Sequence, residues 1–470
     1  MTLTESRLVE PEVLERVLAG ALRNGGDFAE VYAEDRAMTA VSLDDRRVEE
    51  LSSGHSRGAG IRVICGDTTG FAHTDDLSET GLLAAAAAAS AVARQGGGGV
   101  RRIALSETRA PAPNTVATYP ADVPKATKVE LLRRADEMAR SKSDSVVQVS
   151  ASYADNRKCF IVANSDGLFT GDDQIRTRFA VRCVSSGDTG LQTGFESEGF
   201  TVGFEFFDGD AVERLASEAA RRALAKLRAR PAPSGVLPVV IKSGSGGILF
   251  HEACGHGLEA DHIVKDSSVY AHRLGEQVAS PLVTLVDDGT AGPNWGSYAV
   301  DDEGRPARRN VLIENGILVD YMWDATSARK AGRASSANGR RESYQHLPMV
   351  RMTNTFLLQG SEDPDEIVAQ TPYGVYVAAL GGGQVNTATG DFVFGMTEAY
   401  MIENGQITEP IRDANLIGNG PDVLAKVDAV ASDFGMSPGT CGKDGQSVPV
   451  GCGQPTLRVT GVTIGGTAGA

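Results

Sequence analysis

Residues 246 to 261 read GGILFHEACGHGLEAD, and they place His251 and His256 five positions apart. On a regular α-helix, with about 3.6 residues per turn, this spacing turns the second imidazole roughly 140° away from the first. A one-residue π-bulge, in which hydrogen bonds run from residue i to residue i+5, would bring both imidazoles back to one face. Gly255 and Gly257 flank His256, and glycine permits an irregular backbone. The stretch therefore predicts a distorted helix that brings two metal ligands together. The alternative is a pair of ordinary surface or core histidines.

A catalytic zinc takes three protein ligands and keeps one position open, so the two histidines need a third partner. The side chains that could supply it are Cys254, Glu259, His262, Cys441 and Cys452. Glu259 lies eight positions after His251, about 80° away on an ideal helix, and could instead hydrogen-bond a histidine on the side away from the metal. Cys254 would have to point away from a shared metal, so we expect it to be a packing residue.

The C-terminal segment 441 to 459, CGKDGQSVPVGCGQPTLRV, carries the two remaining thiols. Cys441 lies between Gly439 and Gly442 with Lys443 beside them, so a flexible loop could bring a thiolate to a metal and the lysine could stabilise its charge. Spacing alone favours Cys441 over Cys452 only slightly.

Two hairpin signals indicate the fold around this helix. Asn315-Gly316 interrupts VLIENGILVDYM, and Asn404-Gly405 interrupts AYMIENGQITEPI. Asn-Gly between alternating runs is a strong hairpin signal, because both central residues of a type I′ turn need positive φ. The pattern predicts a mostly antiparallel β domain over residues 235 to 470 that carries the histidine helix.

The N-terminal part mixes helices and strands. Helical spacing covers residues 11 to 24, 77 to 94, 125 to 141 and 211 to 228, and the glycines 96 to 99 would end the second helix. Strands are expected over 27 to 35, 39 to 45, 46 to 53, 60 to 74 and about 146 to 185. The prolines of RARPAPSG, residues 228 to 235, mark the domain boundary. We therefore predict an α+β protein with an N-terminal domain over 1 to 230 that contains two similar halves, at about 1 to 100 and 120 to 230.

Composition narrows the class of protein. The chain has 470 residues, 41% hydrophobic and 23% charged, with a net charge of −16, which disfavours nucleic-acid binding because such binding depends on Lys and Arg. No secretory signal or run of about 20 apolar residues is present. The six cysteines lack CxxC pairs, which argues against a disulfide framework. We expect a cytoplasmic protein without membrane spans.

Several segments together resemble the TldD/PmbA family, once called modulators of DNA gyrase and now regarded as metalloproteases. The segments are HEACGHGLEAD (251 to 261), VLIENGIL (311 to 318), NGRRESYQHLPMVRMTNT (338 to 355), GGGQVNTATGDFVFGMTEAYMIENG (381 to 405) and the cysteine segment above. The chain resembles the TldD branch, since the PmbA branch lacks the HExxxH residues. The resemblance implies that His251, His256 and Cys441 bind one zinc ion per chain and that Glu252 is the catalytic carboxylate.

The implied activity is a zinc endopeptidase that cleaves short or unfolded polypeptides with zinc-activated water and Glu252 as general base. Candidate donors to the developing oxyanion are Arg341, Tyr344 and His346. Gly382, in a run of three glycines, would let a substrate backbone come close.

The resemblance also implies a dimer that encloses the site, formed with a PmbA-like subunit or with a second copy of the chain. Two other functions compete with the peptidase. One is a non-catalytic binding partner of a topoisomerase or antitoxin, as the older family name suggests. The other is a metal-dependent hydrolase of a small amide.

Overall fold

The computed structural model describes residues 8 to 91 and 102 to 467. Its N-terminal part, down to the predicted boundary, contains α1 (Pro11–Ala21), β1 (Phe28–Asp44), β2 (Arg47–Cys65), β3 (Thr68–Thr74), α2 (Glu79–Ser90), β4 (Ser106–Glu107), α3 (Lys125–Arg140), β5 (Val146–Asn164), β6 (Leu168–Gly187), β7 (Gly190–Phe200) and α4 (Ala211–Lys226). Short 3₁₀ turns cover Pro120–Asp122 and Phe204–Phe207.

These strands form one seven-stranded sheet in the order β3-β2-β1-β5-β6-β4, with β7 paired to β6. β1 and β5 are antiparallel from the pair of Glu30 with Asn164 to the pair of Asp44 with Ser150. The two proposed halves therefore share one continuous sheet, joined by the pairing of β1 with β5. Each half has the element order helix, three strands, helix.

The helices cover one face of the sheet in two apolar clusters. α1 and α2 pack on one end, around residues such as Leu18, Ile61 and Leu82. α3 and α4 pack on the other end with Phe179 at the centre. The opposite face of the sheet is left to contact the C-terminal part of the chain.

Two predicted strand breaks are wrong. The segments 27 to 35 and 39 to 45 are one strand, β1, and the segments 46 to 53 and 60 to 65 belong to β2. Polar residues near positions 36 and 55 looked like loops, but the two strands pair with each other along their whole lengths. The turn between them is Asp45-Arg46, with φ values of 43° and 72°. The four predicted helices are present, and the glycines 96 to 99 lie outside the described residues.

The C-terminal part contains β8 (Arg230–Pro231), β9 (Gly235–Ile241), α5 (Gly247–Phe250), α6 (Ala260–Ile263), β10 (Leu285–Asp288), β11 (Arg309–Glu314), β12 (Ile317–Leu318), α7 (Ala325–Lys330), β13 (Gly339–Arg340), β14 (Met349–Val350), β15 (Asn354–Leu357), α8 (Pro364–Ala369), β16 (Tyr373–Val385), β17 (Asp391–Glu403), β18 (Gln406–Arg412), β19 (Asn415–Asn419), α9 (Gly420–Ala425), β20 (Val427–Val430), β21 (Gly435–Lys443), β22 (Gln446–Gln454) and β23 (Leu457–Gly465). A π turn (His251–Gly255) and a 3₁₀ turn (His256–Leu258) follow α5.

Two larger sheets dominate this part. One has the order β12-β11-β10-β15-β22-β21, and the other has β16-β9-β23-β19-β17-β18-β8 with β20 on β23. An additional pairing of β16 with β17 closes five strands of the second sheet into a ring. Most pairs are antiparallel, so the predicted α+β fold with a mostly antiparallel C-terminal part is confirmed.

The Asn-Gly hairpins form as predicted. Asn315 and Gly316 have φ values of 47° and 85°, and Asn404 and Gly405 have values of 53° and 73°. Both turns therefore use the positive φ that glycine and asparagine tolerate best. Among the described residues, no helix is long and apolar enough to cross a membrane.

We expect Gly316→Ala to destabilise the protein more than Gly190→Ala. Both glycines have positive φ, of 85° and 81°, which costs alanine about 1 to 2 kcal/mol. A Cβ at Gly316 would also lie 2.6 Å from the carbonyl oxygen of Ala279, whereas nothing lies within 4 Å at Gly190. Urea unfolding should therefore show a loss of about 2 to 5 kcal/mol for Gly316→Ala. Equal losses for the two variants would contradict the close approach at Gly316.

Candidate metal centre

The two histidines lie at the ends of a π turn. The backbone N–H of His256 donates a hydrogen bond to the carbonyl oxygen of His251, which is the i+5 bond of a π-helix. The ring centroids of the two histidines are 5.2 Å apart, with an interplanar angle of 81°. The five-residue spacing therefore brings the imidazoles together, as expected from a π-bulge.

The glycines beside His256 provide space and not an unusual backbone. Gly255 has φ −56° and ψ −50°, which is ordinary helical geometry, so the predicted distortion lies in the hydrogen-bond pattern, which changes from π to 3₁₀ at His256. A Cβ at Gly255 would lie 2.2 Å from Met352 Sδ, and one at Gly257 would lie 2.8 Å from a ring carbon of Tyr270. Both neighbours are buried. The absence of side chains lets the turn pack closely against the core.

Cys441 joins the two histidines. The potential ligand atoms of His251, His256 and Cys441 all lie within 4.8 Å of one another, and all three residues are buried. Cys441 Sγ is 3.3 Å from His256 Nε2. We call these three residues the triad. The thiol reaches it from β21, because the hairpin of β21 and β22 packs along this part of the C-terminal core.

A buried arginine holds the hairpin in place. Arg351 is fully buried, and its guanidinium donates to the carbonyl oxygen of Cys441 and, over 3.2 Å, to that of Gln446. These bonds join the two strands of the hairpin to the segment after β14. The position of the thiol therefore depends on a residue that was not selected from the sequence, although the quoted segment 338 to 355 contains it.

The triad is strongly coupled electrostatically. Burial alone would raise the pKa of the Cys441 thiol, but the neighbouring imidazoles of His251 and His256 outweigh this effect and hold that pKa at about 4. Burial would lower the pKa of His256, yet the Glu259 carboxylate and the Cys441 thiol raise it to about 10. The site therefore favours the thiolate form of Cys441, and a bound cation in place of the imidazole protons would balance its negative charge.

The residues fit a zinc ion. Two imidazoles and a thiolate are donors that zinc prefers, and three protein ligands leave a catalytic position open. His251 Nδ1 is buried and has no hydrogen-bond partner among the described residues. Glu252 lies on the open side: its side chain is 25% exposed, and its Oε2 is 3.7 Å from His256 Nε2. A partly exposed carboxylate and three convergent donors thus lie together in one site.

Glu259 lies against the triad from behind. Its Oε2 is 2.9 Å from His256 Nδ1, and its side chain is fully buried. The chain turns out of the helix at this residue, with φ −78° and ψ 124°, which aims the carboxylate back at the ring. The contact leaves His256 Nε2 facing Cys441, so Glu259 is placed to orient the ring and does not belong to the triad.

Lys443 has a different partner from the one expected. Its Nζ donates to Glu259 Oε2 over 3.0 Å, to Asp261 Oδ1 over 2.7 Å and to the carbonyl oxygen of Val350 over 3.2 Å. The lysine charge therefore balances the two carboxylates behind the histidine. The sequence placed Lys443 near Cys441 but contained no sign of its pairing with Asp261.

The other candidate ligands lie outside the triad. Cys254 is part of the apolar core, and burial raises the pKa of its thiol to about 12. His262 forms a separate group with Glu259 and Asp261, and its Nδ1 lies 3.4 Å from Ser267 Oγ. Cys452 is also buried in the core. Its thiol, together with that of Cys441, raises the pKa of His251 against the effect of burial.

The predicted substrate-binding residues are dispersed. Arg341 is fully buried, and its Nη2 donates to Glu30 Oε1 of β1 over 2.7 Å. Tyr344 packs against β1 and β5 of the N-terminal sheet. His346 Nδ1 lies 2.9 Å from Ser343 Oγ. Gly382 is exposed in β16 with open space around it. The structure thus brings the predicted zinc ligands together but not these four residues.

Three family models match the chain. Residues 29–93 match "PmbA/TldA metallopeptidase domain 1", residues 118–227 match the central domain of that family, and residues 234–466 match its C-terminal domain. The metalloprotease TldD homolog of Haemophilus influenzae is 41% identical over 94% of this chain and 93% of that protein. The zinc metalloprotease TldD homolog of Saccharolobus solfataricus is 26% identical over 94% and 97%.

Solved structures share the fold. A putative modulator of a DNA gyrase from Thermotoga maritima superimposes with a TM-score of 0.81 over 97% of this chain and 99% of that chain, at 21% identity. TldE from Thermococcus kodakarensis gives a TM-score of 0.75 over 96% and 99%, at 20% identity. These similarities extend over nearly the whole chain.

The fold and the site, taken with these relatives, define a metallopeptidase. The chain belongs to the PmbA/TldD family of metalloproteases, as the sequence motifs predicted.

We predict that Cys441→Ser sharply reduces the metal content of the purified protein, because a serine hydroxyl cannot replace the thiolate of the triad. Cys254→Ser is the matched control, since that buried cysteine comes from the same turn as the histidines but lies outside the triad. Elemental analysis after dialysis measures both. Full metal content in Cys441→Ser would remove this residue from the site.

We predict that Glu259→Gln weakens metal affinity about 10- to 100-fold, because the residue orients a ligand and supplies charge to it. Asp261→Asn is the control: Asp261 also pairs with Lys443, and among the described contacts it makes no bond to either histidine of the triad. Competition with a chromogenic chelator measures the affinities. Equal effects of the two substitutions would show that only the lysine pairing matters.

Proposed function

We propose that this protein is a zinc-dependent endopeptidase that cleaves short or unfolded polypeptides. The observation that carries the proposal is the convergence of His251, His256 and Cys441 next to Glu252. A purely structural zinc site needs no neighbouring general base and closes its fourth position with protein. The pairing of an open three-ligand site with a carboxylate supports hydrolysis over a role in binding alone.

Zinc would be held by the two imidazoles and the Cys441 thiolate, as the resemblance implies. When bound, it would supply Lewis acidity, which lowers the pKa of a water molecule and polarises a peptide carbonyl. Glu259 and Lys443 would keep His256 in one orientation, with its Nδ1 turned to the carboxylate and its Nε2 to the metal.

Glu252 would act as the general base. Its carboxylate accepts a proton from the attacking water and returns that proton to the nitrogen of the departing amine. Such proton transfer is typically worth 10²- to 10⁴-fold in rate. The partial exposure of the side chain lets it face the open side of the site, where water and substrate would meet.

An extended peptide would find an open strand edge near the π turn. β16 packs against that turn, and its residues 383 to 385 pair on one side with β17, while β9 pairs only with residues 375 to 377. In the described part of the chain, the other edge of 383 to 385 has no strand partner. Main-chain hydrogen bonds to such an edge bind unfolded chains with little sequence preference. Gly382 would serve this approach.

A dimer with a PmbA-like subunit or with a second copy of the chain, and the cytoplasmic location, stay predictions from the sequence. Arg341, Tyr344 and His346 also stay predicted substrate contacts. The bonds of Arg341 and Tyr344 to the N-terminal sheet supply no direct support for oxyanion binding.

Replacement of Glu252 by Gln tests the proposal. We expect the variant to keep its zinc and to lose at least about 10²-fold in the cleavage of an unfolded, fluorescence-quenched polypeptide. Glu137→Gln, on the exposed surface of α3, is the control and should cleave normally. Chelation should stop cleavage, and added zinc should restore it. Undiminished cleavage by Glu252→Gln would contradict the assigned role, and cleavage that survives metal removal would contradict a zinc peptidase.

A further inference from the structure

A second cavity lies between the N-terminal sheet and the C-terminal part of the chain. It has a volume of about 220 Å³. Side chains of β1, β5 and β6 form one wall, and the β21–β22 hairpin forms another. We call it the arginine cavity, after the cations that line it: Arg36, Lys158, Arg176, Arg340 and Arg341.

Arg176 is buried in this cavity without a carboxylate partner. Its Nε donates to the carbonyl oxygen of Trp295 over 2.9 Å, its Nη2 to that of Ser297 over 3.0 Å, and its Nη1 to Gln174 Oε1 over 2.8 Å. All three acceptors are neutral. Its relative exposure is only 4%, so bulk water does little to compensate the charge.

Arg340 is also buried with neutral acceptors. Its Nη1 donates to the carbonyl oxygen of Met352 over 2.5 Å and its Nη2 to that of Pro449 over 2.7 Å, and its guanidinium lies 5.3 Å from the ring centroid of Tyr298. No ion pair of Arg340 or Arg176 with an acid occurs in the described residues. Burial and the nearby charge of Arg340 lower the pKa of Arg176 to about 9. Two buried guanidinium groups thus repel each other across one cavity.

The remaining cations are paired, but they leave donors free. Lys158 pairs with Asp302 over 2.7 Å, Arg36 with Glu34 over 3.7 Å, and Arg341 with Glu30 over 2.7 Å. Arg341 Nε and Nη1 are nevertheless buried with no hydrogen-bond partner in the described structure. The guanidinium of Arg341 also stacks on Tyr32, 4.3 Å from the ring centroid, so this cavity-lining residue has N–H groups that no acceptor uses.

These features match a carboxylate attached to an apolar group. Uncompensated buried charge is costly, and a guanidinium fork binds a carboxylate with two parallel bonds. Trp295, Tyr298 and Val300 provide apolar wall. The volume equals about seven water molecules, enough for one amino-acid residue. The carboxylates of Asp301, Asp302 and Glu342, which also line the cavity, would oppose a more highly charged phosphate.

The cavity and the triad share one hairpin. Cys441 faces the histidines from β21, and its neighbour Thr440 lines the arginine cavity together with Ser447 and Pro449 of β22. Val448, which pairs with Cys441 across the hairpin, also lines the cavity, so the hairpin connects the cavity with the metal site. Thr440 and Ser447 are exposed, which places them at the mouth of the cavity.

We propose that the arginine cavity binds the C-terminal carboxylate of a peptide, with the last side chain of the peptide against Trp295 and Tyr298. The inference rests on the proposed function, because it makes the cavity a substrate anchor. An anchor remote from the reacting atoms acts on peptide binding, so it should change KM and leave kcat nearly unchanged.

Binding of labelled peptides to the Glu252→Gln protein tests this without cleavage. The probe is a short peptide with an N-terminal fluorescein and a C-terminal phenylalanine, compared as free acid and as amide by fluorescence anisotropy. We expect the free acid to bind about 10- to 100-fold more tightly, as for the loss of a hydrogen-bonded charge. Arg176→Gln and Arg340→Gln in the same background should abolish the difference. Arg178→Gln, two residues further along β6 and outside the cavity lining, should retain it.

Equal binding of acid and amide would overturn the inference. Equally tight binding of an amidated peptide with an internal aspartate would also overturn it, because the site would then recognise a side-chain carboxylate and not the C-terminus. If the arginine variants do not fold, competition by N-acetylphenylalanine but not by its amide, measured on the Glu252→Gln protein alone, decides the same question. Zinc content and cleavage of the amidated peptide by the wild-type protein are measured separately. They test the peptidase proposal, so its failure can be distinguished from failure of the C-terminal anchor.

Discussion

The candidate metal centre depends on one π turn. A helix that stayed regular through His251 and His256 would point the two imidazoles in different directions. The extra residue in the turn brings the ring centroids within 5.2 Å. Close packing holds the turn in this form, because Met352 fills the space beside Gly255 and Tyr270 fills that beside Gly257. The active geometry is thus a property of the core around the helix as much as of the helix.

Charge balance behind the turn is the second constraint. Two imidazoles and a thiol are buried together, and buried charges need partners. Glu259 lies between His256 and Lys443, and Lys443 pairs in turn with Asp261. This row of alternating charges starts at the ligand and ends at a partly exposed carboxylate. It allows the centre to be buried while one side stays open for water.

The contact between the N-terminal sheet and the rest of the chain is unusually polar. Arg62 bridges Glu30 and Glu303, and Lys158 pairs with Asp302, all of them buried. Such pairs bring specificity of orientation more readily than net stability. Arg341 belongs to this network through Glu30, so a residue that looked like an oxyanion donor also joins the two parts of the chain. The arginine cavity is the place where this network leaves positive charge unpaired.

Local rules explain what could be read from the sequence. The Asn-Gly turns, the four helices of the N-terminal part and the π turn each depend on neighbours within a few residues, and all of them are present. Glu259 was expected behind a histidine from helix geometry, and it lies against His256. The family followed from motifs whose residues are close together in the chain.

Tertiary structure decided what local rules could not. The thiol of Cys441 meets His256 across 185 positions of the chain, and nothing in the spacing separates it clearly from Cys452. β1 and β2 run through polar stretches that resemble loops, because each strand finds a partner along its whole length. The roles of Arg351, Arg341 and Asp261 come from partners distant in sequence. Residue order determines short-range geometry. Tertiary packing, which brings remote strands together, determines which of several equivalent donors reaches the metal site.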